Sequence, residues 1–154
     1  MALVHLSLHQ ELKSAIVQAN CLPTIIKLLV TSESKPILCQ CCKLLASLAL
    51  HFPNKVLITN SGNLHGLLDC ILGTNKEIDD SVSLAALQGV VNAVNGNDAN
   101  RMLLVDLNGI KPIQSVLSDR AGKISISLFL YISTSLYLYT VGVLFHVDSG
   151  ALDR

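Results

Sequence analysis

The residues best suited to chemistry are thiols. Cys39-Gln40-Cys41-Cys42 places three of the five cysteines within four positions, and the other two are Cys21 and Cys70. Thiolates of this kind ligate zinc, which takes four donors in a tetrahedral set. The spacing argues against it. On a helix Cys39 and Cys42 share a face while Cys41 points elsewhere, and no paired Cys-x-x-Cys or histidine stands at a matching distance. Side chains that diverge cannot meet disulfide geometry either, and the number of cysteines is odd. Reduced thiols in the cytoplasm or nucleus are the expectation, with Cys41 serving as a small core hydrophobe. His5 and His9 stand four apart with Glu11 beyond, but this is not the His-Glu-x-x-His order of zinc proteases. His51, His65 and His146 are isolated, and Gly-x-Ser-x-Gly, phosphate-binding and dinucleotide loops are missing. Asp79-Asp80 reads as the start of a helix, where carboxylates meet the positive end of the dipole. With no nucleophile beside a base, no enzyme activity and no cofactor are expected.

If the polar groups do not react, the elements that carry them become the subject. The chain has 154 residues, 51% apolar and only 14% charged, with 11 basic and 11 acidic side chains. A zero net charge lacks the clustered basic surface that nucleic acid requires. No like-charge run or Pro- or Gly/Ser-rich linker divides the chain. The N-terminus MALVHLSLHQELK has neither the basic start nor the long apolar stretch of a signal peptide.

The chain repeats itself. At an offset of 42, Leu3 falls on Leu45, Leu6 on Leu48, Lys13 on Lys55, Ile16 on Ile58, Leu22 on Leu64 and Ile25 on Leu67. Further along the offset is 46: Leu38 falls on Leu84, Cys41 on Leu87, Leu44 on Val90, Leu45 on Val91, Leu48 on Val94 and Leu64 on Ile110. The four extra residues fall between Ile71 and Leu84, where Gly73-Thr74-Asn75-Lys76-Glu77 reads as loop. The apolar positions within each copy follow helical spacing. A polar corner recurs as Ala19-Asn20-Cys21-Leu22-Pro23, Ser61-Gly62-Asn63-Leu64-His65 and Leu107-Asn108-Gly109-Ile110-Lys111-Pro112. Pro23, Pro36 and Pro112 sit near helix starts, where a missing N–H does no harm. Each unit therefore reads as a short helix, a sharp turn, a middle helix, a loop and a long helix.

The stretch Ile16-Val17-Gln18-Ala19-Asn20-Cys21-Leu22-Pro23-Thr24-Ile25-Ile26-Lys27-Leu28-Leu29 resembles the armadillo-repeat signature Ile-Val-x-Ala-Gly-Ala-Leu-Pro-x-Leu-Val-x-Leu-Leu, and the resemblance extends over about residues 2–118. It implies an all-α, right-handed α-solenoid of three-helix repeats, about two and a half of them, acting as a non-catalytic protein-binding scaffold. The repeat phase puts Ala2–Leu6 in the last turns of a long helix, so a slice of a longer solenoid, a fragment or splice form, is the expectation. In the armadillo family the long helices line a groove, and an Asn near each helix end holds an extended peptide. That position is His5, Ser47 and Ala93 here, and Asn92 lies one residue away, about 100° around the helix. The polar stripes that could face such a groove are Gln40, Lys43, Ser47 and His51 in one unit and Gln88, Asn92 and Asn95 in the next. These are the candidate partner-binding residues, with a protein partner expected and no nucleic acid.

Residues 1–119 thus form the expected repeat domain, and 120–154 a tail of different character. Ile124–Phe145 has no charged residue, and five of the six Phe and Tyr residues lie in it. Its length would span a bilayer as a helix, with Arg120 and Lys123 on the cytoplasmic side. Three readings stand: a membrane anchor within 124–147, an appended splice tail of strand-forming composition, or a third long helix. The anchored form is the alternative to a cytoplasmic or nuclear scaffold.

Overall fold

At each recurring corner the backbone turns left-handed. Asn20, Gly62 and Asn108 have φ of 59°, 78° and 53°, and they occupy the same register position in three successive units. A helix commonly ends on such a residue, and glycine and asparagine bear it at least cost. The computed structural model describes residues 1–73 and 78–119. Among the described residues the elements, all helical, are α1 (Ala2–Leu6), α2 (Gln10–Gln18), α3 (Leu22–Thr31), α4 (Lys35–Leu48), α5 (Phe52–Asn60), α6 (Asn63–Leu72), α7 (Asp80–Val94), α8 (Asp98–Asp106) and α9 (Ile110–Asp119). The corners separate α2 from α3, α5 from α6 and α8 from α9.

The units are α2-α3-α4 and α5-α6-α7, with α8-α9 opening a third and α1 standing where a long helix would end. Pro23, Pro36 and Pro53 lie in the first two positions of α3, α4 and α5, where the amide has no partner to lose. The link from α6 to α7 is four residues longer than that from α3 to α4, as the change of repeat offset requires. Asp79 caps α7: its carboxylate accepts the Val82 N–H at 3.0 Å and the Ser81 hydroxyl at 2.7 Å. These bonds, the Ser81 hydroxyl first, hold the carboxyl below its ordinary range.

Packing follows the register. Met1–Val116 is one compact unit, in which α4 lies along α7 and α3 along α6. The α4 stripe Leu38, Cys41, Leu44, Leu45 and Leu48 is buried, as are Leu87, Val90, Val91 and Val94 of α7, whereas Leu84 is half-buried. Ile16, Ile58 and Leu104 hold the same buried position in the three short helices. Burying one such aliphatic side chain stabilises by about 1.5–3 kcal/mol. The result is an α-solenoid of three-helix units. The expected tail and possible span at 124–147 lie outside the described residues. Among the described residues no single helix is long and apolar enough to cross a membrane.

Candidate functional site

The long helices carry the candidate residues, and their polar atoms have different fates. On α4, Lys43 is exposed and Gln40 half-buried. Ser47 is buried, and its hydroxyl donates to the Ser7 carbonyl at the end of α1 at 2.8 Å. His51 lies beyond α4 as the N-cap residue of α5, half-buried, with its Nδ1 buried and unpartnered. On α7, the Gln88 amide donates to Asn92 Oδ1 at 2.8 Å, and Asn92 Nδ2 donates to the Ala46 carbonyl of α4 at 2.9 Å. Asn92 is buried and Asn95, the C-cap residue of α7, is exposed. The offset of 46 places Gln40, Lys43 and Ser47 in register with Ala86, Gly89 and Ala93, all buried. The two stripes therefore occupy non-equivalent faces of their helices. Ser47 and Asn92 spend their donors on neighbouring helices, which leaves Lys43 and Asn95 exposed and Gln40, Gln88 and His51 half-buried.

A second set of polar residues was hidden in the sequence. The last carbonyls of a helix have no partner within it, and here the short helices supply donors. Asn54 Nδ2 donates to Leu48 of α4 at 3.2 Å and to Lys13 of α2 at 3.0 Å. One unit on, Asn100 Nδ2 donates to Ala93 of α7 at 2.9 Å and to Lys55 of α5 at 3.2 Å, while its Oδ1 accepts the Thr59 hydroxyl at 2.9 Å. Lys13, Lys55 and Arg101 follow the same register. Lys13 Nζ donates to the Ser7 carbonyl, Lys55 Nζ to Asn95, and Arg101 Nε to Val94 at 3.2 Å. Cations at a helix C-terminus are also favoured by its dipole. Burial, and then the nearby Arg101 charge, lowers the Lys55 pKa. Each short helix thus clasps the end of a long helix, and α5 and α8 also reach the short helix before them through asparagine. The signal was present: at the offset of 46, Asn54-Lys55 falls on Asn100-Arg101.

The cysteines diverge as their spacing predicts. Cys39 Sγ lies 3.8 Å from the Ser81 carbonyl, Cys42 contacts Cys70, and Cys41 faces α1 and α3. The hydrogen bond with Cys70, reinforced by burial, pushes the Cys42 thiol up, and burial does the same for Cys41 and Cys21. Such thiols are poor nucleophiles because the thiolate is the reactive form. Among the described residues no three His, Cys, Asp or Glu side chains are grouped to hold a metal ion.

Three-helix units stacked by long helix on long helix and middle helix on middle helix define a helical repeat protein of the solenoid class. The first complete unit has a likeness among known families: the family model of the Armadillo/beta-catenin-like repeat matches residues 9–50. That segment runs from the His9 cap of α2 through α4 and is similar to an armadillo repeat. No curated protein and no solved structure matches the chain.

Proposed function

We propose that the chain is a non-catalytic scaffold that holds a protein partner against its long helices, with 1–119 as the repeat domain and 120–154 as a separate tail. The observation that carries this reading is the match of residues 9–50 to the armadillo repeat; within that segment the long helix α4 keeps the charged side chain of Lys43 exposed while Ser47 is tied inward. The contact residues in this reading are Lys43 and Gln40, with Asn95 and Gln88 one unit on and His51 at the edge. Ser47 and Asn92 support them by fixing the long helices in register. The balanced charge favours protein over nucleic acid, and five cysteines kept as thiols suit the cytoplasm or nucleus.

The test is affinity capture from lysate with the 154-residue chain as bait. Lys43→Glu combined with Gln40→Ala should reduce recovery of the specific partners by about tenfold, the scale of losing one interface hot spot. The melting temperature should stay unchanged, because neither side chain is in the core. Unaltered capture with both residues replaced would overturn the assignment of this face.

A further inference from the structure

The chain contains two Asn-Gly pairs, Asn95-Gly96 and Asn108-Gly109. This dipeptide carries a reaction of its own, one reason asparagine counts among the thermolabile residues. The backbone nitrogen after the asparagine attacks the side-chain amide carbon, ammonia leaves, and a five-membered succinimide forms. Water then opens either carbonyl of the ring, giving aspartate or isoaspartate. Glycine favours the attack because no Cβ shields the nitrogen or restricts the backbone. The fold treats the two pairs differently.

At Asn108-Gly109 the attacking nitrogen is engaged: the Gly109 N–H donates to the Leu104 carbonyl at 2.9 Å. Gly109 is buried, and a Cβ built on it would run into Leu104 and stand 3.1 Å from Leu68. This corner cannot rotate without unpacking both leucines. Asn95 and Gly96 are exposed at the corner between α7 and α8. Apart from its chain neighbours, nothing stands within 4 Å of a Cβ built on Gly96. Among the described residues none accepts a hydrogen bond from the Gly96 N–H. Asn95 has ψ of 121°, an extended backbone that holds this nitrogen away from the side chain. Ring closure therefore needs a rotation about the Cα–C bond of Asn95. The carbonyl on that bond is held by Lys55 Nζ.

We propose that Asn95-Gly96 deamidates spontaneously to aspartate and isoaspartate, braked by the Lys55 clasp, while packing keeps Asn108-Gly109 inert. In the isoaspartate the main chain runs through the former side chain. The carbon whose oxygen Lys55 holds then becomes the free carboxylate, and a hydrogen bond to a carbonyl is replaced by a charge-assisted one between opposite charges. The formal net charge of +0 turns negative. The reaction needs only water, so it holds whether or not Asn95 touches a partner.

The test is to age the 154-residue chain in neutral buffer, digest it with trypsin and follow the mass gain of amide turned to acid. Asn95 falls in the peptide 77–101 and Asn108 in 102–120, and fragment masses set Asn95 apart from Asn92, Asn97 and Asn100. Asn95 should convert at least about tenfold faster than Asn108, the factor set by a local opening that costs about 1.4 kcal/mol. In urea, where neither corner exists, the two rates should converge. Isoaspartate-specific enzymatic methylation should label residue 95 of the aged chain, and anion exchange should resolve aged from fresh protein. Lys55→Met keeps the buried stem and loses the donor, and should hasten conversion at Asn95 by about fivefold. Circular dichroism verifies that this variant folds. If it does not, the comparison of Asn95 with Asn108 in the unaltered chain still decides. Equal rates at the two sites in the folded chain, or faster conversion at Asn108, would overturn the proposal. So would an Asn95 that stays intact while the chain in urea converts. An unchanged rate at Asn95 in folded Lys55→Met would overturn the brake.

Discussion

The role of each asparagine here is set by where the backbone places it. At Asn20 and Asn108 it bears a left-handed turn, where glycine stands in the middle unit. At Asn54 and Asn100 its amide ties helices together. At Asn63 it does neither. Asn63 is fully buried, and both its Nδ2 and its Oδ1 lack partners. The same register position holds Cys21 and Gly109, and the armadillo signature has alanine there. An unsatisfied buried amide costs about 1–3 kcal/mol, partly offset by the contacts its atoms make. Asn63→Ala should therefore stabilise the chain by about 1 kcal/mol, read as an upward shift of the urea midpoint at constant slope. A lower midpoint would mean the amide is satisfied in solution.

Helix ends separate the elements the sequence describes well from those it does not. The N-caps of α2, α5 and α8 are His9, His51 and Asn97, again one register position. Only Asn97 accepts a side-chain cap bond, from the Asn100 N–H at 3.0 Å. His51 reads as part of a polar groove stripe because a helical wheel extends past the end of α4, while the chain has already turned. Asp79 is legible as a helix start, since a carboxylate before an apolar periodic run satisfies free N–H groups. Its folded pKa is depressed, so the sign is that of a stabilising carboxylate. The contribution is fully present above the ordinary aspartate value and is lost as pH falls through the lower folded value. Thermal stability should thus decline on acidification into the region below the usual carboxylate pKa. In Asp79→Asn, which keeps an acceptor without the charge, that share of the decline should be missing. Equal acid sensitivity in both proteins would assign the loss to other carboxylates.

For the whole molecule, the repeat phase is readable because apolar positions, corners and prolines recur at fixed offsets and burial enforces them. The stacking devices are not, because a register built on apolar residues passes over them. The asparagine ladder also does not recur three times, since its position in α2 is Leu12. Ser47 and Asn92 look like solvated polar groups in the sequence. Spacing alone does not distinguish a face turned to water from one turned to a neighbour's carbonyls. Asn100 gives the clearest test. Truncation to alanine removes bonds to Lys55, Ala93 and Thr59; the Ala93 carbonyl loses its donor, while the Thr59 hydroxyl keeps the Lys55 and Val56 carbonyls, and the change should cost about 1–3 kcal/mol in urea unfolding. Hydrogen exchange should rise where α5, α7 and α8 meet while α2 and α3 keep their protection. Uniform loss of protection would show the stack opening as one body.

The clasps also set how the chain bears load. The bonds that cross between units link residues 40 to 46 positions apart, close to one repeat. Pulled by its ends, such a chain behaves as links in series: each junction carries the full tension, and the weakest yields first. Every unit that lets go would release a contour on the order of 140 Å, from about 3.4 Å per extended residue. The bonds that fix the steps between units are therefore also the ones that limit the tension the solenoid bears.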